Sequence, residues 1–238
     1  MPVYVEDGGG RPKHEGTAVL LQSQDGLWLF TAAHVLATHI RAPIILPGKK
    51  FFRLQAQVFA SSKLTPEETE KDSADVAFVR LTNEQAESLY DAGFHFLPIT
   101  RESIDRSEVP PFPATCAVTG FNVDSVEIDH VKEVAMAGQM CLLSRFIDPR
   151  KLGSVQRSPT RNLGVEYPSR PFIDGKRARR PDPRGLSGGA IWKIDGKDVR
   201  LAGIVIECYV SRSMIVGTRL EYILEAISHF SEALRAQT

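Results

Sequence analysis

A chain of 238 residues, 42% hydrophobic and 24% charged, can bury a sizeable core, which excludes a disordered segment, a collagen-like repeat and a disulfide-stapled miniprotein. Its 29 Lys and Arg are balanced by 29 Asp and Glu, which argues against a wholly basic nucleic-acid-binding protein. The three cysteines, Cys116, Cys141 and Cys208, are far apart and form no C-x-x-C pair, so neither a zinc site nor a disulfide framework is expected.

Residues 1–8 lack the apolar stretch of a secretory signal. No run approaches the ~18 apolar residues of a membrane span. The expectation is a cytoplasmic protein with reduced thiols and no membrane partner. Short apolar or alternating runs at 16–21, 27–31, 44–46, 52–60 and 76–81, bounded by Gly, Pro or polar clusters, predict strands. Asp25-Gly26 marks a hairpin, because glycine tolerates the positive φ of a tight turn. A short helix is predicted over 84–92, stopped by Gly93. Val109-Pro110-Pro111-Phe112-Pro113 holds three prolines in five residues and reads as a stiff linker. A second set of strands is predicted at 115–121, 131–143, 163–167, 190–194, 199–206 and 214–217.

Two groups of about six strands around a linker predict an all-β fold of two packed six-stranded antiparallel β-barrels. Their bounds are 1–108 and 114–219, with 109–113 between them. A C-terminal helix over 220–236 completes the chain. Thr218-x-x-Glu221 fits a capping box for it. Leu220, Ile223, Leu224, Ile227, Phe230 and Leu234 share one face at helical spacing, a face expected to pack on the second barrel.

Zero net charge hides a polarised molecule. From Arg145 to Arg184 there are eleven Lys and Arg against four Asp and Glu, a net of +7, so the remainder carries −7. The segment reads either as a solvated loop face or as a patch for an acidic partner.

Three segments carry chemistry. They are Thr31-Ala32-Ala33-His34-Val35, Ala74-Asp75-Val76-Ala77-Phe78-Val79-Arg80-Leu81 and Gly185-Leu186-Ser187-Gly188-Gly189-Ala190. A serine hydroxyl is a weak nucleophile and needs a neighbouring base. Histidine titrates near neutral pH and fits that role. A carboxylate on the far ring nitrogen fixes the tautomer and stabilises the imidazolium. Glycines around the serine let two backbone N–H groups, those of Gly185 and Ser187, form an oxyanion hole. Chain order His34, Asp75, Ser187 separates this pattern from the α/β-hydrolases that share G-x-S-x-G. Those require a strand before the serine and their Asp and His after it. Here two prolines precede the turn, and only His229 lies downstream.

At these residues the sequence resembles the trypsin-like, chymotrypsin-clan serine peptidases, over nearly the whole chain from residue 16 to 237. The resemblance implies two perpendicular barrels with the active site in the cleft between them. His34 and Asp75 would come from the first barrel and Ser187 from the second. The strand Leu201-Ala202-Gly203-Ile204-Val205 would flank the substrate. Departures from the secreted members are Val35 in place of a cysteine, no Ile-Val-Gly-Gly activation segment, and Leu186 where an Asp is usual. Ile206 stands where a serine often bonds the catalytic Asp. These resemble the intracellular standalone bacterial members.

The implied primary pocket is lined by Pro181, Asp182, Leu186, Ile206, Glu207, Cys208 and Gly217. Asp182 or Glu207 would favour a basic substrate residue. The surrounding arginines would favour an acidic one, and the sequence leaves both open. The expected function is a serine endopeptidase acting on protein or peptide substrates, without cofactor or metal. The alternative is a latent or inactive protease-fold binding protein that works through, or is activated by, a protein partner. Nucleic acid is a weaker third reading.

Overall fold

In the computed structural model, which describes residues 1–225 apart from 38–41, 66, 67, 69–71, 101, 106, 108–111, 131, 133 and 174, the apolar runs become strands of mainly antiparallel sheets. The first half holds β1 (Pro2–Glu6), β2 (Pro12–Thr17), β3 (Val19–Ser23), β4 (Gly26–Ala32), α1 (Ala33–Ala37), β5 (Ile44–Leu46), β6 (Phe52–Arg53), β7 (Val58–Ala60), β8 (Val76–Arg80), α2 (Asn83–Asp91) and β9 (Leu97–Pro98). They form a four-stranded sheet, β2-β1-β5-β6, and a five-stranded sheet, β7-β8-β4-β3-β9.

The second half holds β10 (Thr115–Gly120), β11 (Val126–Asp129), β12 (Val134–Ala137), β13 (Met140–Arg145), β14 (Asn162–Glu166), β15 (Phe172–Ile173), β16 (Lys176–Arg177), β17 (Ala190–Asp195), β18 (Asp198–Tyr209) and β19 (Met214–Arg219). Eight of these run in the order β14-β19-β18-β17-β10-β13-β15-β16, and β11 and β12 pair as a separate hairpin.

The β-rich class agrees with the sequence, and the arrangement is compatible with a chymotrypsin-like fold, but among the described residues the ladders do not close into two six-stranded barrels. In the first half the chain changes sheet across Ala18, which extends the β1–β2 pairing by exchanging hydrogen bonds with Met1 (both 2.7 Å). Strands β2 and β3 on either side then join different sheets. In the second half β13 and β14 share a single backbone bridge, Phe146–Val165, supported by Ile147 N–H to the Gly164 carbonyl (2.9 Å) and the Ser144 hydroxyl to the Glu166 carbonyl (2.7 Å).

Local signals fared better than closure. The β3–β4 hairpin forms, with Gly26 at φ +143°. The short helix starts one residue earlier than expected. Its cap is Thr82, which accepts from the Gln85 N–H while the Gln85 side chain accepts from the Thr82 N–H, and Gly93 at φ +86° ends it. The run 52–60 splits into β6 and β7, and 131–143 divides between β12 and β13. Strand β1, flanked by the loop of Asp7 to Gly10, was not anticipated.

Thr218 does not cap the last helix. It is a fully buried residue of β19, and its hydroxyl donates to the Ala74 carbonyl instead. Residues 220–225 are helical, and Leu220 and Ile223 enter a core shared by both halves, not one belonging to the second alone. The rest of the expected helix, 226–236, and most of the linker lie outside the described residues.

Among the described residues, two of three apolar cores cross between the halves. One joins Leu36, Val35 and Ile44 to Ile147, Ile206 and Val216. Another joins Trp28, Phe30 and Phe78 to Leu201 and Ile204. Burying one side chain of the size of Trp28 or Phe30 stabilises by about 1.5–3 kcal/mol. The halves therefore meet through core packing, and this docking positions the functional residues.

Candidate active site

Strand β4 runs directly into α1, which places His34 in the first helical turn. Helix starts leave backbone N–H groups without partners. Asp75, just before β8, supplies them. Its carbonyl accepts from Ala33 N–H (2.9 Å) and its Oδ1 from His34 N–H (3.0 Å). Its Oδ2 accepts from His34 Nδ1 at 2.6 Å. That bond requires the proton on Nδ1 and leaves Nε2 as the ring's acceptor atom. Asp75 is 5% exposed and has φ +43°, a left-handed conformation that Asp tolerates better than most residues. Burial acts to lower the His34 pKa. The hydrogen bond and charge of Asp75, helped by Glu15 and Glu207, outweigh it and hold the pKa above the ordinary histidine value.

Ser187 sits in a turn whose peptide groups are fixed one by one. The Pro183 carbonyl accepts from Leu186 N–H (3.1 Å), and the Arg184 carbonyl from Val123 N–H (3.0 Å). The Gly185 carbonyl accepts from the Thr17 hydroxyl (2.8 Å). The Leu186 and Ser187 carbonyls accept from Gly189 N–H and Thr17 N–H, both at 2.8 Å. A trans peptide points its N–H opposite its carbonyl, so each bond also sets the direction of the next N–H. From Arg184 to Gly189, the Gly185 and Ser187 amides alone have no acceptor among the described residues.

Glycine is required twice here. Gly185 has φ +89°, and a Cβ on it would lie 2.4 Å from His14 Cε1. Gly188 has φ +86°, and a Cβ would lie 1.8 Å from the Thr17 carbonyl oxygen. Leu186 is buried in an apolar cluster with Val118, Leu163, Tyr167 and Ile191. The Ser187 hydroxyl makes one long contact, to the Ile206 carbonyl at 3.5 Å, and no hydrogen bond to His34 Nε2. Resting catalytic hydrogen bonds are often long or absent before substrate arrives.

Sequence reasoning missed four residues that hold this site. Thr17 is one. The others come from the second half and grip the segment leading into Asp75. Arg157 Nη1 donates to the Asp72 carbonyl (3.0 Å), Asn162 Nδ2 to the Ser73 carbonyl (2.8 Å) and the Thr218 hydroxyl to the Ala74 carbonyl. Three successive carbonyls are thus held by three side chains. Ile206 is buried and offers Asp75 no hydroxyl.

The residues expected to line a pocket divide. The Pro181 carbonyl accepts from the Tyr167 hydroxyl at 2.9 Å. Gly217 packs inside the sheet, where a Cβ would meet Ile191 Cδ1 at 2.3 Å. Both acids are already paired. Asp182 takes the Arg184 guanidinium through Nη2 (2.6 Å) and Nε (2.8 Å). Glu207 takes Arg157 Nη2 (2.7 Å) and the Tyr209 hydroxyl. Burial pushes the half-buried Cys208 thiol up to about 12, so it stays protonated and is a poor rival nucleophile. No disulfide joins the cysteines, and no cluster of three metal-ligating side chains occurs among the described residues. No helix among them is long and apolar enough to cross a membrane.

No protein-family model matches the sequence, and no curated protein is significantly similar to it.

Proposed function

We propose that the chain is a serine endopeptidase of the trypsin-like kind, with Ser187 as nucleophile, His34 as general base and then acid, and Asp75 as its orienting carboxylate. One observation carries the reading. Asp75 holds His34 by both ring and backbone, while the Ser187 turn leaves the Gly185 and Ser187 amides without an acceptor. In this scheme Nε2 removes the Ser187 proton as Oγ attacks the peptide carbonyl. The two amides take up the charge on the tetrahedral oxygen. His34 then protonates the leaving amine, and water, activated by the same histidine, releases the acyl-enzyme. The site would lie between two open, barrel-like halves, and no step calls for a cofactor. A cytoplasmic setting and protein or peptide substrates belong to the same proposal.

A second reading is favoured by the Ser187 hydroxyl leaning on Ile206 and not on His34. In it the protein is latent until a protein partner or substrate turns the hydroxyl. Labelling with a fluorophosphonate probe tests both. Rapid labelling of the isolated protein, abolished by Ser187→Ala, supports the active enzyme. Labelling only after a cell extract is added supports the latent one. Equal labelling of wild type and Ser187→Ala would overturn both.

A further inference from the structure

The excess positive charge ahead of Ser187 is unevenly used. Within 145–184, Arg150 pairs with Asp148 and Arg184 with Asp182, while Arg157 pairs with Glu207 from β18. Arg179 and Arg180 have no carboxylate partner among the described residues, although they stand next to the Pro181–Pro183 stretch that the trypsin-like resemblance puts at the substrate pocket. They line an open groove of about 790 Å³ together with Ser169, Asp182 and Val210.

Arg180 is not a loose surface charge. Its Nη1 donates to the carbonyls of Tyr167 (3.1 Å) and Val210 (3.2 Å). Its guanidinium lies over the Tyr167 ring, 5.3 Å from the centroid. Tyr167 is itself fully buried and bonded to the Pro181 carbonyl. The cation is thus fixed by a buried aromatic ring and two carbonyls, while Nε and Nη2 have no hydrogen-bond partner among the described residues. A fixed guanidinium with a free N–H edge matches a carboxylate and loses little entropy on pairing. The acids nearby do not compete for it. Asp182 is occupied by Arg184, and Asp124, also on the groove, acts electrostatically on the same Arg184.

We infer that Arg180, assisted by Arg179, forms a subsite for an acidic side chain of the peptide substrate. This resolves the choice the sequence left open. The two acids that would have selected a basic residue are neutralised from within, and the two arginines are not. The inference rests on the peptidase reading of the same site and adds the substrate class to it.

The test is a set of fluorogenic peptides in which each position carries Glu, Gln or Lys in turn. The wild type is expected to cleave the Glu peptide at least ~10-fold faster than its Gln isostere at one position, measured as kcat/KM, and the advantage should shrink as salt is raised. Arg180→Gln keeps N–H donors for Tyr167 and Val210 but no charge, and the Glu-to-Gln ratio should fall to about one. Arg180→Glu should turn the preference to Lys. A wild type that prefers Lys, or an Arg180→Gln ratio equal to that of the wild type with its melting temperature unchanged, would overturn the subsite.

Fluorophosphonate labelling separates the two claims. A protein that labels but shows no Glu preference keeps the peptidase and loses the subsite. If the protein does not label, fluorescence anisotropy with labelled hexaglutamate and hexaglutamine decides the subsite alone. Hexaglutamate binding that is weakened by Arg180→Gln supports it, and equal binding of both peptides refutes it.

Discussion

The His34–Asp75 pair and the Ser187 turn are secured in reciprocal fashion. Asp75 belongs to the first half, yet the carbonyls leading into it are held by Arg157, Asn162 and Thr218 of the second. Ser187 belongs to the second half, yet the carbonyls of Gly185 and Ser187 are held by Thr17 of the first. Each half fixes the other's contribution. The lesson is that neither segment is expected to keep its geometry alone, and that correct docking of the halves and assembly of the site are one event. The means also differ. The turn is fixed from its backbone, by a threonine and tight glycines, whereas the aspartate is fixed by long polar side chains.

The comparison can be broken at either side. The largest effect should come from Ser187→Ala, which removes the proposed nucleophile. Turnover should fall by about 10⁶, with labelling lost and the melting curve little altered. Gly188→Ala comes next, because its Cβ would overlap the Thr17 carbonyl and strain a left-handed residue. A loss of ~3 kcal/mol is expected, seen by calorimetry as a melting point lower by ~10 °C, together with loss of labelling.

Thr17→Val probes the backbone grip on its own. It removes the donor to Gly185 and the acceptor for Phe121 N–H (2.9 Å). We expect kcat to drop by about 100-fold with KM nearly constant, since the oxyanion donors are felt mainly in the transition state. Thr218→Val and Asn162→Ala probe the side-chain grip. Each should cost about 10-fold in kcat. A loosened Asp75 also supports imidazolium less well, so the acid limb of the pH–rate profile should move to lower pH. If Thr218→Val lowers stability but leaves that limb in place, its role is structural only.

The smallest effect is that of Glu207→Gln. Glu207 helps raise the His34 pKa, and a raised pKa means that activity, which needs neutral His34, is lost at higher pH than for an ordinary histidine. Removing the charge should shift the acid limb downward, by less than the Thr218 variant does.

The candidate triad was legible because each part is local. A histidine at a strand–helix junction, an aspartate entering an apolar strand and a serine among glycines each announce themselves within a few residues. The supports were not legible, because their partners are remote. Thr17 reaches Gly185 across 168 positions, Thr218 reaches Ala74 across 144 and Arg157 reaches Asp72 across 85. Thr218 was misread as a helix cap for the same reason, since a nearby Glu221 matches the local pattern while the buried carbonyl it serves is distant. Sheet closure was over-predicted because strand counting cannot register a chain that passes from one sheet to another across Ala18, or a ladder with the single bridge Phe146–Val165.

The left-handed backbone at Asp75 acts as a filter on what substitution can reveal. Asn also tolerates that conformation, so Asp75→Asn would remove the charge while sparing the fold. Alanine would lose the carboxylate and be strained at φ +43° at once, and glutamate would add a methylene where the carboxylate already spans Nδ1 and the backbone N–H. The position is therefore open to few residue types on conformational grounds, before any demand of chemistry is applied.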